Sequence, residues 1–140
     1  MYEKIMVATD GSENAAEAVL HAAKLARLSG AKEVMVLHVC PACTPELDPD
    51  LKNREMANDI VRKAESILGK EGIFVQPVLE MDYPPEEIGE AIAAIAKRES
   101  VDLLVLGNRG LSEFKGILLG SVSHKVLQRA ACPVLVIKGP

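Results

Sequence analysis

Three glycines and the residues around them carry the chemistry legible in this chain. Gly107 and Gly110, with two residues between them, follow the apolar run at 103–106; nine residues later come Gly120, Ser121, Val122 and Ser123, where a helical pattern resumes. Glycine lets the backbone turn and approach a ligand with no Cβ in the way. A glycine followed by hydroxyls at a helix start presents orphan N–H groups and the positive end of the helix dipole to an anion. The combination suits phosphate: the N–H groups of Ser121, Val122 and Ser123 hold its oxygens, and the two serine hydroxyls add donors. Arg109, between the first two glycines, offers a planar multi-donor cation to phosphate or ribose. Each residue also has a plainer use, the glycines in turns and packing, the serines as helix caps, the arginine as a solvated loop residue.

Two other phosphate motifs are excluded by spacing. A P-loop places Lys and then Ser or Thr directly after its last glycine, whereas Gly120 is followed by Ser121 and Val122. The dinucleotide fingerprint separates its glycines by one and then two residues, which Gly107, Gly110, Gly116 and Gly120 do not supply.

The elements that must position these residues alternate between strand and helix. Residues 4–9 read as a strand, continuously apolar over 5–8 and ending at Asp10-Gly11-Ser12, with Ser12 as N-cap of a helix that buries Ala16, Val19, Leu20, Ala23 and Ala26 and ends at Gly30. A second strand covers 33–39, and the proline-rich stretch 41–50 reads as a loop before a helix with Met56, Ile60, Ala64 and Ile67 on one face. The third strand, 73–79, contains Pro77, which cannot donate to a ladder and so belongs at a sheet edge. Pro84 and Pro85 suit the first turn of a helix that buries Ile88, Ala91, Ile92 and Ile95. The fourth strand runs into the glycine loop, a helix at 121–130 carries Val122, Val126, Leu127 and Ala130, and the last strand begins at Pro133 and ends at Lys138. Alternation of this kind implies an α/β, flavodoxin- or Rossmann-like three-layer sandwich with a five-stranded parallel sheet. Order 3-2-1-4-5 puts the Pro77 strand at an edge and opens a crevice between the first and fourth strands, where Asp10 meets Gly107. Asp10 is then a carboxylate at a ligand crevice, or simply a turn former before Gly11.

The ordered spacing Gly107, Gly110, Gly120-Ser121, the opening KIMVATDGSENA, the strand EVMVLHV and the ending CPVLVIK together resemble the universal stress protein family over nearly the whole chain. The resemblance implies an adenine nucleotide, ATP foremost, with Mg²⁺. It also implies that Ala8, Thr9, Asp10 and Val39 line the adenosine side with Leu106 beneath, Val39 through its backbone. The family's usual proline before the Thr-Asp pair is Ala8 here.

Length and charge bound the rest. The 140 residues, 49% of them hydrophobic, suit one domain, and no apolar run reaches the ~18 residues of a spanning helix. The N-terminus lacks a signal-peptide profile, so the expected location is cytoplasmic. A net charge of −4 argues against a general nucleic-acid binder. Cys40 and Cys43 form C-P-A-C, a spacing shared by redox and metal sites, but Pro45 and Pro49 delay the helix a thioredoxin-like site would need, and no second pair completes a zinc set. His21, His38 and His124 show no metal spacing and read as structural or solvated. The leading expectation is a nucleotide-binding regulator with little or slow hydrolysis. Its alternatives are a slow Mg-dependent ATPase or phosphotransferase on the same site, and a redox module on Cys40 and Cys43. The short apolar last strand, at the second sheet edge, invites pairing into a homodimer, as in the family.

Overall fold

Strand residues that are apolar on both sides of the backbone can be buried only in a sheet covered on both faces, and the sequence supplies such runs at regular intervals. A computed structural model describes residues 2–41, 49–110 and 118–139. Its strands β1 (Ile5–Ala8), β2 (Glu33–Pro41), β3 (Phe74–Tyr83), β4 (Leu103–Gly107) and β5 (Val134–Ile137) pair in parallel in the order β3-β2-β1-β4-β5. This is the expected 3-2-1-4-5 arrangement, with Pro77 on an edge strand. Helices α1 (Glu13–Ser29), α2 (Pro49–Lys70), α3 (Ile88–Arg98) and α4 (Ser121–Arg129) cover the sheet. Ile5, Val7, Val34, Val36, Leu103 and Val105 pack under α1 and α2, while Met6, Ala8, Met35, Leu37, Val39, Leu104 and Leu106 pack against α3 and α4.

The expected caps of α1 are present. The Ala15 N–H donates to Ser12 Oγ at 3.1 Å, and Gly30 closes the helix in the left-handed region at φ 78°. Its buried stripe is rotated from expectation, to Asn14, Ala15, Ala18, Val19, Ala22, Ala23 and Ala26, leaving Ala16 and Leu20 only partly buried. Alanines on several sides of this helix made more than one stripe possible. The smallest face won, because it allows the closest approach to the sheet.

Three other boundaries differ. Helix α2 already begins at Pro49, so the loop expected over 41–50 ends early; proline is well suited to a first helical position. Cys43 and Pro45 lie outside the described residues. The α2 face that packs inward is Ala57, Ile60, Val61, Ala64 and Leu68, while Met56 is exposed. Strand β3 continues past Leu79 to Tyr83 along β2, with a register shift between Val39 and Pro41. Being an edge, it exposes Phe74 and Leu79 and so shows no clean apolar pattern at its end. In α4 the row packed on the core is buried Val126 with partly buried Val122 and the C-cap residue Ala130 at i, i+4 spacing, and Leu127 is exposed. Pro85 opens a 3-10 turn, Pro85–Glu87, ahead of α3.

Helices α3 and α4 touch through Gly89. A Cβ there would lie 2.6 Å from Lys125 Cβ and 3.0 Å from the Val122 carbonyl oxygen, so the first turn of α4 rests directly on the α3 backbone. In an unhindered helix interior, glycine to alanine stabilises by about 1 kcal/mol. Here Gly89→Ala should instead destabilise by about 1–3 kcal/mol, the usual cost of overpacking, measured as a lower urea midpoint; an unchanged or higher midpoint would show that the two helices can part at no cost.

Candidate phosphate-binding site

The site begins where β1 ends. The Thr9 N–H donates to the Leu37 carbonyl at 2.9 Å, extending the ladder by one residue. The chain then reverses in two side-chain-locked turns, with the Gly11 N–H donating to Thr9 Oγ1 at 3.1 Å and the Ser12 N–H to Asp10 Oδ1 at 2.9 Å. Gly11 sits at φ 84°, where a side chain would be strained, and Ile60 of α2 closes over it. Lys63 of α2 donates to the Gly11 carbonyl at 2.9 Å, and buried His38 donates from Nδ1 to the Thr9 carbonyl at 2.8 Å. Since a carbonyl only accepts, Nδ1 carries the proton in that contact.

The fourth strand delivers its glycines against these residues. A Cβ on Gly107 would meet the backbone and Cβ of Asn14 at 3.1 Å, and one on Gly110 would lie 2.7 Å from Asp10 Oδ2. The two segments expected to converge across the crevice are therefore in contact, and the space beside both glycines is taken up by the start of α1 and the Asp10 carboxylate. Ala8, Val39 and Leu106, near the ends of β1, β2 and β4, are buried together on the α3/α4 face. Arg109 is partly buried beside them in sequence, and its carbonyl accepts from Asn14 Nδ2 at 3.4 Å.

Gly120 is the N-cap of α4, in an extended conformation (φ −71°, ψ 165°) with no side-chain cap. As the second and third residues of the helix, Val122 and Ser123 hold N–H groups with no intrahelical acceptor, at the positive end of its dipole. Ser121 is exposed and Ser123 buried. The Ser123 hydroxyl donates to the Gly107 carbonyl at 2.6 Å, tying the helix start to the strand end. Its proton is thereby engaged, which leaves the backbone N–H as the donor Ser123 could offer an anion.

Three residues that sequence reasoning passed over hold this arrangement together with His38, which takes the structural role expected of it. Asn108 donates from Nδ2 to the Leu118 carbonyl at 2.8 Å and accepts at Oδ1 from Asn14 Nδ2 at 3.1 Å; both asparagines are buried. Asn14 had a signal, a poor helix former four residues before Ala18 on the packed stripe. Lys63 had none, because its contact joins elements far apart in the chain. Lys63 adds a cation to a site in a chain of net charge −4.

His21 and His124 are exposed, with His21 Nδ1 against the Glu17 carbonyl. Among the described residues no group of three or more His, Cys, Asp or Glu side chains is arranged to hold a metal, and no helix is long and apolar enough to cross a membrane. Cys40 is buried at the end of β2. Burial pushes the Cys132 thiol above its ordinary range. Because the thiolate is the nucleophile, Cys132 should alkylate with iodoacetamide more slowly at pH 8 than an exposed cysteine, with the rate still climbing at higher pH. Peptide mass spectrometry reads this site by site, and alkylation at the rate of an exposed thiol would contradict the burial.

The profile of the Universal stress protein family matches residues 1–138. The chain is 36% identical to universal stress protein YxiE of Bacillus subtilis over 149 aligned positions, spanning 99% of this chain and all of that one. In three dimensions it is similar to a universal stress protein from Archaeoglobus fulgidus in complex with dAMP, at 30% identity, TM-score 0.75 and 98% coverage of both chains. It is also similar to a universal stress protein in complex with cAMP, at 27% identity, TM-score 0.77 and 99% coverage of both.

Proposed function

Because this chain belongs to the universal stress protein family, we propose that it is a regulatory protein whose conformation or choice of partner follows the binding of an adenine nucleotide at the crevice between β1 and β4. The observation that carries this reading is the contact between Asp10 and Gly110, which brings the turn after β1 and the glycine loop to one place. Similar proteins in complex with cAMP and dAMP support the ligand class. The phosphates lie at the start of α4, on the N–H groups of Ser121, Val122 and Ser123, where the helix dipole and the nearby cations Arg109 and Lys63 offset the chain's negative charge. Adenosine lies over Ala8, Thr9 and Val39, with Leu106 beneath.

The ligand is ATP, with Mg²⁺ carried mainly by its phosphates and water. Mg²⁺ commonly takes only one or two protein carboxylates in such sites, and Asp10 is placed to be one. Turnover is slow or nil. Rapid hydrolysis needs a base that orients water, and Asp10, with one oxygen on the Ser12 N–H, would have to serve both as that base and as the metal ligand. Pairing of β5 edges, Val134–Ile137, joins two copies.

Titration calorimetry of nucleotide-stripped protein should give a Kd for Mg-ATP of about 1 μM or tighter, near −8 kcal/mol, with AMP and NADH weaker; the absence of ATP binding overturns the proposal. Gly120→Val, compatible with the extended backbone there, should weaken ATP at least about tenfold, about 1.4 kcal/mol, in protein whose folding is verified by circular dichroism. Full affinity in that variant removes the phosphates from the start of α4. Sedimentation at micromolar concentration should give a dimer, and a monomer would exclude pairing through β5.

A further inference from the structure

The inference concerns Asn108 and rests on the nucleotide reading above. The residue is 5% exposed and bonds in four directions. Its N–H donates to the Ile137 carbonyl at 2.9 Å, and its carbonyl accepts from the Gly120 N–H at 2.5 Å. Its Oδ1 accepts from Asn14 Nδ2 at 3.1 Å and from the Gly139 N–H at 3.3 Å, and its Nδ2 donates to the Leu118 carbonyl at 2.8 Å. Only the Ile137 bond continues the β4–β5 ladder. The others join the glycine loop to the first turn of α1, the entry to α4 and the chain leaving β5.

Packing reinforces the same junction. Gly107 and Gly139 both abut Asn14, so a Cβ on either would run into that residue. The exits of β4 and β5 are thus held side by side against α1, with Asn108 as the hydrogen-bonded centre. Buried amides whose donors and acceptors are engaged in this way are costly to displace, because each broken bond leaves a polar group without water. A shift in the loop therefore moves the end of β5 with it.

We propose that Asn108 is a positioning residue that couples nucleotide occupancy of the glycine loop to the C-terminal strand edge. A nucleotide that fixes residues 107–110 and the start of α4 tightens the Ile137 and Gly139 contacts through Asn108, and by linkage an ordered edge raises nucleotide affinity by the same factor. The edge at Val134–Ile137 is where the second copy pairs, so occupancy of the site is read out at the dimer contact. A clamp with only a structural role would hold β5 equally with and without ligand.

Hydrogen–deuterium exchange of nucleotide-stripped protein, with and without saturating Mg-ATP, separates the two. In the wild type, ATP should slow exchange of the peptide covering 134–139 by about fivefold or more, the low end of ordinary allosteric couplings. In Asn108→Ala, which removes the side-chain bonds to Asn14, Leu118 and Gly139 and keeps the backbone bonds to Ile137 and Gly120, ATP should still protect the first turn of α4, while its effect on 134–139 should fall at least about twofold. If that variant does not fold, Asn14→Ala, which removes one partner of Asn108 and leaves the others, carries the comparison and should reduce the β5 effect. ATP binding with unchanged β5 exchange in the wild type overturns the coupling and leaves the nucleotide reading standing. Full β5 protection in a folded variant overturns the role of Asn108, and failure of the wild type to bind ATP overturns both readings.

Discussion

The close approach of α1 to β4 is the constraint on which the site depends. An ordinary helix stands off a sheet by the length of its apolar side chains, but α1 presents alanines at positions 15, 18, 22, 23 and 26, and β4 ends in a glycine that meets the helix backbone at Asn14. Both partners are small for the same reason. With the helix that close, the turn leading into it places Asp10 against Gly110, and the Asn14 amide reaches Asn108. A larger residue at Gly107 would open the crevice by pushing away the helix that carries its other wall.

Close packing alone would leave polar backbone stranded where two strands end together. Parallel strands that finish side by side leave N–H and C=O groups without ladder partners, and orphans of this kind are expensive once buried. The chain answers with side chains. Thr9 and Asp10 satisfy the N–H groups of their own turn, His38 donates to the Thr9 carbonyl, and Asn108 serves the glycine loop. Among the described residues no buried side-chain nitrogen or oxygen lacks a hydrogen-bond partner. The turn after β1 and the end of β4 are therefore held by the chain's own side chains.

Legibility of these features in the sequence follows the range of the interactions that make them. Strand order was legible because Pro77 excludes a central position and because burial on both faces demands continuous apolar runs. Ser12 and Gly30 were legible as caps, since capping acts within a few residues. The stripe of α1 was not, because alanine packs acceptably on any face and only the sheet decides which is nearest. The last residues of β3 were misjudged for a related reason: at a sheet edge, burial no longer dictates residue type. Leu127 lies one position beyond the Val122 and Val126 row of α4 and is left outside it. Within the site, glycine spacing pointed to the loop, but Asn108 stood unnoticed between the two glycines. Its meaning lies in Asn14, Leu118, Gly120, Ile137 and Gly139, and no local pattern encodes contacts spread so widely.

The same geometry supports the proposed reading of a site for binding rather than turnover. A hydrolase needs a carboxylate or histidine with a lone pair aimed at water, held beside a metal and an oxyanion stabiliser. In this chain several groups near the crevice already serve the structure: Asp10 accepts the Ser12 N–H at one oxygen, His38 donates from Nδ1 to the Thr9 carbonyl, and the Ser123 hydroxyl donates to the Gly107 carbonyl. What such an arrangement offers a ligand is oriented N–H dipoles, a helix terminus and two basic side chains, all of which hold charge without moving protons. On the proposed reading, a protein of this design changes state through occupancy. The bonds of Asn108, which run from the glycine loop to the end of β5, then determine where that change is felt.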